Sequence, residues 1–541
     1  MLLGPLDIQP LVVGAAVLVY LVYKNYEPAS VPATLALQVA LPGALVLVVQ
    51  RHNSSVLLII IGVYSTYYGI LAICVLGYRL SPTHPLASFP GPVGCRVSKL
   101  WMAHKATYGN LHEYVRGLHA KYGDIVRVGP NELSVRHEDP ISRIMKDCPK
   151  GPYGITDLKI YPKRRRSWNR GTSVAAVKDY EEFLASVIRQ LIGSLEERQG
   201  QTIDLSKWMI YTAFDFMGEM ALSRQFNNVK TGTDTTGLIH AIEVGVTQLA
   251  WAAQIPWSLP FLSLLGKMIG DDGSWRYVQR VSTEAVKARI EAGSGRRDLF
   301  HHLMDGDDLE SVKPPMDTVA SDGALAIVAG SDTSATALSH CFYFLLRNPK
   351  CMQRLREEIE SIYPGATDTT LDFAQQAEMP YLNACINEAM RLYPPVLTGL
   401  QKLVTSPTMI DTHYVPAGSL VYAHHFTIHR DSRYFYPVPD EFWPDRWLVQ
   451  DTYTVLPSGE VIPHDQLIHN RNVFVPFSIG TRICAGKSIA YLEMRAVLCA
   501  LIQMFDVTKA PGFALDQWED NVKDMFITFL GPLMVNIKAK Y

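Results

Sequence analysis

The sequence predicts a mainly α-helical fold with a minor β part, preceded by helices that cross a membrane. Three observations carry this. Helical apolar periodicity dominates from Cys95 onward. Strand-like runs are confined to short pieces such as Ile125-Val126-Arg127-Val128 and Leu133-Ser134-Val135. The apolar excess of the composition, 48% against 19% charged, is concentrated before Arg79 rather than spread along the chain.

The anchor is read first. Three apolar stretches open the chain: Ile8 to Tyr23, ended by Lys24; Val31 to Val49, followed by Arg51 and His52; and Val56 to Tyr78, followed by Arg79. The third carries no charge over a length that crosses a bilayer. The second is long enough and contains Pro42, which membrane helices tolerate. The first is marginal in length. No basic segment precedes it and no small-residue cleavage site follows, which argues against a cleaved signal peptide. Residues 1–79 are therefore expected to be an anchor of two or three transmembrane helices.

Prolines at 82, 85, 90 and 92 fix φ and remove backbone donors, so residues 80–95 cannot continue a helix and are expected to form a stiff elbow. Residues 96–541 are then expected to form the globular body. Within it, Pro349 to Ile362 is amphipathic, with Met352, Leu355, Ile359 and Ile362 on one stripe. Asp317 to Arg347 is a long apolar run broken by polar residues at Ser331 to Ser334. Asp305 to Pro315 is charged and reads as a surface loop.

The formal net charge is -2, so no global basic field points to a nucleic-acid partner. The eight cysteines, at 74, 95, 148, 341, 351, 385, 484 and 499, form no C-x-x-C pair. This spacing speaks against a disulfide scaffold or a zinc ribbon and for a reducing compartment around the body.

One cysteine stands apart. Phe474-Val475-Pro476-Phe477-Ser478-Ile479-Gly480-Thr481-Arg482-Ile483-Cys484-Ala485-Gly486 precedes a helical pattern from Lys487 to Phe505. A cysteine just before a helix N-terminus meets the positive end of the macrodipole, which favours its thiolate. Gly480 and Gly486 allow tight turns and the close approach of a flat ligand. Arg482 is a cation suited to a carboxylate.

The string Phe477-x-x-Gly480-x-Arg482-x-Cys484-x-Gly486 resembles the haem-binding signature of the cytochrome P450 family at every fixed position. Three further constellations resemble the same family in order and spacing. Glu388-Ala389-Met390-Arg391 gives Glu-x-x-Arg, with both side chains on one helix face. Phe442-Trp443-Pro444-Asp445-Arg446-Trp447 resembles the Pro-Glu-Arg-Phe segment, with Asp445 and Trp447 in place of the commoner Glu and Phe. Ala329-Gly330-Ser331-Asp332-Thr333-Ser334 is locally unfavourable in mid-helix, and such breaks gather at functional sites. Tyr161-Pro162-Lys163-Arg164-Arg165-Arg166-Ser167-Trp168 aligns with a Trp-x-x-x-Arg element, with Tyr161 on the Trp and Arg165 on the Arg; the Phe that the family carries near Thr172 is missing.

This resemblance, which covers roughly residues 80 to 541, implies the following. Cys484 is the axial ligand of a haem b iron. Phe477, Gly480, Arg482, Gly486 and Arg165 bind the cofactor, the two arginines at its propionates. Glu388, Arg391 and Arg446 form a structural triad, and Asp332 and Thr333 are the catalytic pair of the helix that crosses the haem. The reaction puts one atom of O2 into a lipophilic molecule, by hydroxylation or epoxidation. The pocket walls lie near Ile155, Ala326 to Gly330, Val396 to Leu400 and Ile527 to Phe529. Lys121 to Asp124, Val128 to Glu132 and Thr427 to Asp431 resemble fungal microsomal members. That suggests secondary metabolism (a terpenoid is one candidate substrate), an endoplasmic-reticulum membrane with a cytosolic body, and a lumenal loop Gln50 to Ser55 carrying the sequon Asn53-Ser54-Ser55. No dinucleotide-binding glycine fingerprint is seen, so electrons are expected from NADPH through a separate cytochrome P450 reductase. Two other functions stay open: a haem-thiolate isomerase or dehydratase acting on a peroxide, and a non-enzymatic haem or ligand-binding membrane protein.

Overall fold

The computed structural model describes residues 9–26, 30–49, 55–138, 160–268, 273–291, 296–310, 312–410, 412–448 and 453–541. The loop bearing Asn53, the wall near Ile155 and Cys148 lie outside the described residues.

The N-terminal region contains helix α1 (Gln9–Tyr26), then α2 (Val31–Leu35) and α3 (Leu41–Val49) joined by a π-helical turn at Ala36–Ala40, and then α4 (Val56–Leu80). Among the described residues two helices are long and apolar enough to cross a membrane, Val31–Val49 and Val56–Leu80. Pro42 explains the π turn between α2 and α3. It has no N–H to give the carbonyl four residues back, at Gln38. The Leu41 N–H reaches back five residues to Ala36, which also frees the Leu37 carbonyl. Tyrosines of α4 take up the released acceptors. Tyr67 donates to Leu37 O at 2.7 Å, Tyr68 to Gln38 O at 2.7 Å and Tyr64 to Val39 O at 3.0 Å. In an apolar medium each such bond replaces a costly bare carbonyl. The helices pack through Val12, Ala16, Val19, Leu45, Val46, Val63 and Tyr67.

The proline-rich segment after α4 is a series of turns, and it is not merely a spacer. Leu86 and Phe89 are buried in the core of the small sheet. The Arg127 guanidinium donates to the carbonyls of Arg79, Leu86 and Pro130, which ties the elbow to the body. The elbow also ends earlier than expected, because a short helix already starts at Val93.

That sheet has four strands: β1 (Ile125–Gly129), β2 (Glu132–Val135), β3 (Lys402–Leu403) and β4 (Leu420–Ala423), in the order β1-β2-β4-β3. β2 and β4 run parallel, with Leu133 opposite Val421 and Val135 opposite Ala423. The large core is helical. The elements that frame the site are α5 (Ile160–Gly171), α6 (Val174–Glu196), α7 (Leu205–Leu222), α8 (Leu299–Leu303), α9 (Met316–Arg347), α10 (Pro349–Ile362), α11 (Pro380–Leu392) and α12 (Lys487–Met504). α10 keeps the predicted bounds and buries Met352, Leu355 and Ile359. α12 stops one residue before the expected Phe505, which opens a strand paired with Met534–Ala539.

α9 is the central helix, buried over most of its length. Gly330 is needed there for packing: a Cβ at this position would lie 2.6 Å from the Met217 side chain of α7. The absent side chain lets two core helices approach closely.

Candidate active site

The cysteine loop is built by local backbone geometry. Ser478 and Gly480 both have positive φ, 59° and 73°. One 3-10 turn follows at Gly480–Arg482. The Cys484 N–H then donates to Phe477 O at 2.9 Å, which closes the loop on itself. Gly486 caps α12, so the Cys484 thiol sits at the N-terminal end of a helix of 18 residues. Cys484 is exposed, although its helix is a core element. Gly486 has φ -80, so it serves no left-handed turn; a Cβ there would meet nothing within 4 Å. Its part in the expected pattern is the open space beside it.

The basic helix α5 clasps this loop. Tyr161 donates its hydroxyl to Thr481 O at 3.0 Å. Arg165 donates to Ile483 O at 2.9 Å and to Asn169 Oδ1 at 2.7 Å. The Arg482 guanidinium lies 3.2 Å from the centre of the Tyr161 ring and is buried. The structure thus brings Arg165 of α5 against the loop that carries Arg482 and Cys484. Phe477 packs against Tyr491 of α12 with ring centres 5.3 Å apart.

Behind the loop lies a fully buried ionic network. Glu388 takes two bonds from Arg391, at 2.8 and 2.9 Å, and one from Arg446 at 3.0 Å. The Trp443 N–H adds a bond at 3.0 Å and the Trp447 indole one at 2.9 Å. Burial alone would raise the Glu388 carboxyl, but Arg391, Arg446 and these donors hold it down at about 2. Arg391 also donates to the carbonyl of His429 at 2.6 Å, and His429 Nε2 accepts the Val475 N–H at 3.1 Å. His429 therefore links the triad, through its backbone carbonyl, to the start of the cysteine loop, through its imidazole.

On the middle of α9, Ser321, Leu325 and Ala329 are exposed and Thr333 is half-buried, one turn apart along one stripe. Leu325 is 54% exposed there. Thr333 donates its hydroxyl to Ala329 O at 2.7 Å. Asp332 is buried, and its Oδ2 has no partner among the described residues. Burial, with a smaller push from Glu243, raises its carboxyl to about 7. The neighbouring Ser334 meets Glu493 of α12, a wholly buried acid pushed up to about 8 by burial.

A family model described as Cytochrome P450 matches residues 159–526. The chain belongs to the cytochrome P450 family. Cytochrome P450 monooxygenase nodW of Hypoxylon pulicicidum is 32% identical over 84% of this chain and 82% of that protein. The trichothecene C-15 hydroxylase of Fusarium sporotrichioides is 30% identical over 79% and 88%. Cytochrome P450 monooxygenase hepC of Aspergillus oryzae is 29% identical over 87% and 96%. For a P450, membership implies a cysteine-ligated haem iron, electrons supplied by a reductase and a small-molecule substrate.

The residues of this P450 fit such a group. The exposed thiol, the empty space at Gly486 and the bare stripe of α9 are what a bound flat cofactor would cover. Arg482 and Arg165 supply cations beside the thiol. Sequence reasoning missed three contributors. Trp447 reads in the sequence only as a replacement for Phe, because its bond to Glu388 crosses 59 positions. His429 has no local signal, since its partners Arg391 and Val475 are distant in the chain. Glu493 has a visible one, an acid within an apolar helical run.

Proposed function

We propose that this P450 uses Cys484 as the sole protein ligand to haem iron and inserts one oxygen atom of O2 into a lipophilic small molecule of secondary metabolism. The observation that carries the reading is an exposed cysteine at the start of a buried helix, on a loop that carries Arg482 and is clasped by Arg165 and Tyr161. When bound, the haem supplies the oxygen chemistry, and a thiolate ligand pushes electron density in favour of O–O cleavage.

The chain's own residues do the rest. The α12 terminus and the loop N–H groups stabilise the thiolate. Arg482 and Arg165 would neutralise the propionates. Phe477, Gly480 and Gly486 shape the cradle. The Glu388, Arg391 and Arg446 network keeps the loop's support rigid. Thr333 and Asp332 would hold and pass protons to the bound group: a carboxyl raised to about 7 can take up a proton and give it up again. Buried apolar residues such as Ala326, Leu397 and Ile527 suit a lipophilic substrate. A relative named as a trichothecene hydroxylase points the same way.

The proposed layout is a membrane anchor at 1–79, an elbow at 80–95 and a catalytic domain at 96–541. The body is cytosolic on the endoplasmic reticulum, with NADPH-cytochrome P450 reductase as electron donor. The deciding experiment is the carbon monoxide spectrum of the reduced protein together with reductase-driven turnover. Cys484→Ala is expected to lose the red-shifted band, while Cys499→Ala, altered deeper in α12, keeps it. Product formation is expected to need both NADPH and reductase. Turnover of peroxide substrates without reductase would instead establish the isomerase reading. An unshifted thiolate spectrum in Cys484→Ala would remove the ligand assignment.

A further inference from the structure

Away from the cysteine loop, two adjacent histidines and one aspartate converge at the end of α8. One ligand atom from each of His301, His302 and Asp307 lies within 4.8 Å of the others. Both imidazoles are largely buried: the His301 side chain is 9% exposed and His302 is 7% exposed. His302 Nε2 is buried and makes no hydrogen bond among the described residues. His301 Nε2 lies 3.1 Å from Asp307 Oδ1. That is close to the spacing of two ligands on one tetrahedral ion, about 3.3 Å for bonds of about 2.0–2.1 Å.

The surroundings hold these groups in place. Asp298 caps the helix by accepting the His301 N–H at 2.9 Å, and Arg289 anchors that carboxylate at 2.6 Å. Asp305 accepts the N–H groups of Leu309 and Glu310 at 3.1 and 2.8 Å, which folds the loop back toward α8. Gly306 leaves room for the imidazole in its present place, since a Cβ there would stand 2.4 Å from His301 Nδ1 and displace the ring. Arg297 pairs with Asp307 Oδ2 at 3.4 Å and leaves Oδ1 to His301. Such an outer partner orients a carboxylate without occupying its ligating oxygen. His302 and Asp307 also line a cavity of about 770 Å³ with Asp179 and Asn169, which gives an entry path. The guanidinium groups nearby do not forbid a cation. Arg166 and Arg170 pair with Glu310, Arg170 also with Asp305, and Arg297 with Asp179.

We propose that His301, His302 and Asp307 form a binding site for a divalent transition ion of the zinc type. Two imidazoles and one carboxylate suit a borderline ion and leave a fourth position for water. Binding requires His302 to close by about 1.5 Å and the proton between His301 and Asp307 to leave. The ion would clamp α8 to the loop that leads into α9, a different role from that of the haem.

The test uses the full-length, haem-loaded protein without a polyhistidine tag, stripped with a chelator and titrated with Zn2+ alone in a calorimeter. One ion per chain is expected. Asp307→Asn and His302→Ala are each expected to weaken binding at least tenfold, with haem content and the carbon monoxide spectrum unchanged. Asp307 is partly exposed, so its variant decides the matter even if His302→Ala fails to fold. No uptake by the parent protein, or uptake equal in the parent and Asp307→Asn, would overturn the proposal.

Discussion

The indole N–H of Trp447 donates to Glu388 Oε2 at 2.9 Å, and both side chains are buried. A tryptophan at this place gives the carboxylate a donor that a phenylalanine could not provide. A hydrogen bond to a buried charged group contributes about 1.5–3 kcal/mol. Trp447→Phe is therefore expected to destabilise the protein by about that amount, with partial loss of haem loading. Arg391→Ala or Arg446→Ala leaves an uncompensated charge and is expected to cost about 3–5 kcal/mol, with little haem-loaded protein recovered. Thermal melting and haem content per chain check both. Normal haem loading in Arg391→Ala would remove the triad's structural role.

Thr333 bonds to its own helix through Ala329 O, and Asp332 lacks a partner for Oδ2. Thr333→Ala is expected to keep haem and substrate binding and to keep consuming NADPH. More hydrogen peroxide should then appear per molecule of product. Asp332→Asn removes a titratable group and is expected to slow turnover by limiting proton supply. Measured ratios of NADPH, peroxide and product decide it. If coupling is unchanged in Thr333→Ala, that hydroxyl serves only the helix.

Stability should depend on pH with a definite sign. Burial lowers His112 and His340 from 6.5 to about 3, and His424 and His429 well below 6.5. These histidines stay neutral in the folded protein while the unfolded chain takes up protons. Their contribution is complete above pH 6.5 and is lost as pH falls below it. Glu388 adds a second loss between 4.5 and about 2. Asp332, Glu493 and Asp524 act oppositely. Burial raises them to about 7, about 8 and about 7, so their contributions are full below their ordinary carboxylate values and are lost as pH rises through about 7 and 8. Burial also lowers His84, His119, His425 and His469 to about 4, so the histidines outnumber these acids, and the melting temperature should peak at about pH 6.5–7 and drop steeply on the acid side. A circular dichroism melt series that stays flat from pH 6.5 to 5, a range taken from these shifts, would contradict this account.

The proposed anchor makes a topological prediction. α4 ends at Leu80, and Arg79 donates to Val97 O at 2.6 Å, so the body follows directly on the second apolar helix that is long enough to span. With the body cytosolic, the loop Gln50 to Ser55 is lumenal. Protease added to sealed microsomes is expected to digest the body and spare that loop, and the reverse pattern would refute the orientation.

Much of this protein was legible in its sequence because the informative signals are contiguous. The cysteine loop, the Glu-x-x-Arg turn and the broken segment at Ser331 to Ser334 each lie within a few residues, so short-range geometry and helix periodicity expose them. The bounds of α10 and the two longer apolar spans follow from the same local rules. Tertiary structure alone decided the rest, since it depends on pairs far apart in the chain. Tyr68 replaces the donor that Pro42 lacks, Met217 fills the space that Gly330 leaves, and Arg391 reaches Val475 through His429. Residue type can show that a carbonyl, a gap or a buried charge needs a partner. Only the packing of distant segments selects which side chain meets that need, because the desolvation cost is set by what surrounds the group in space.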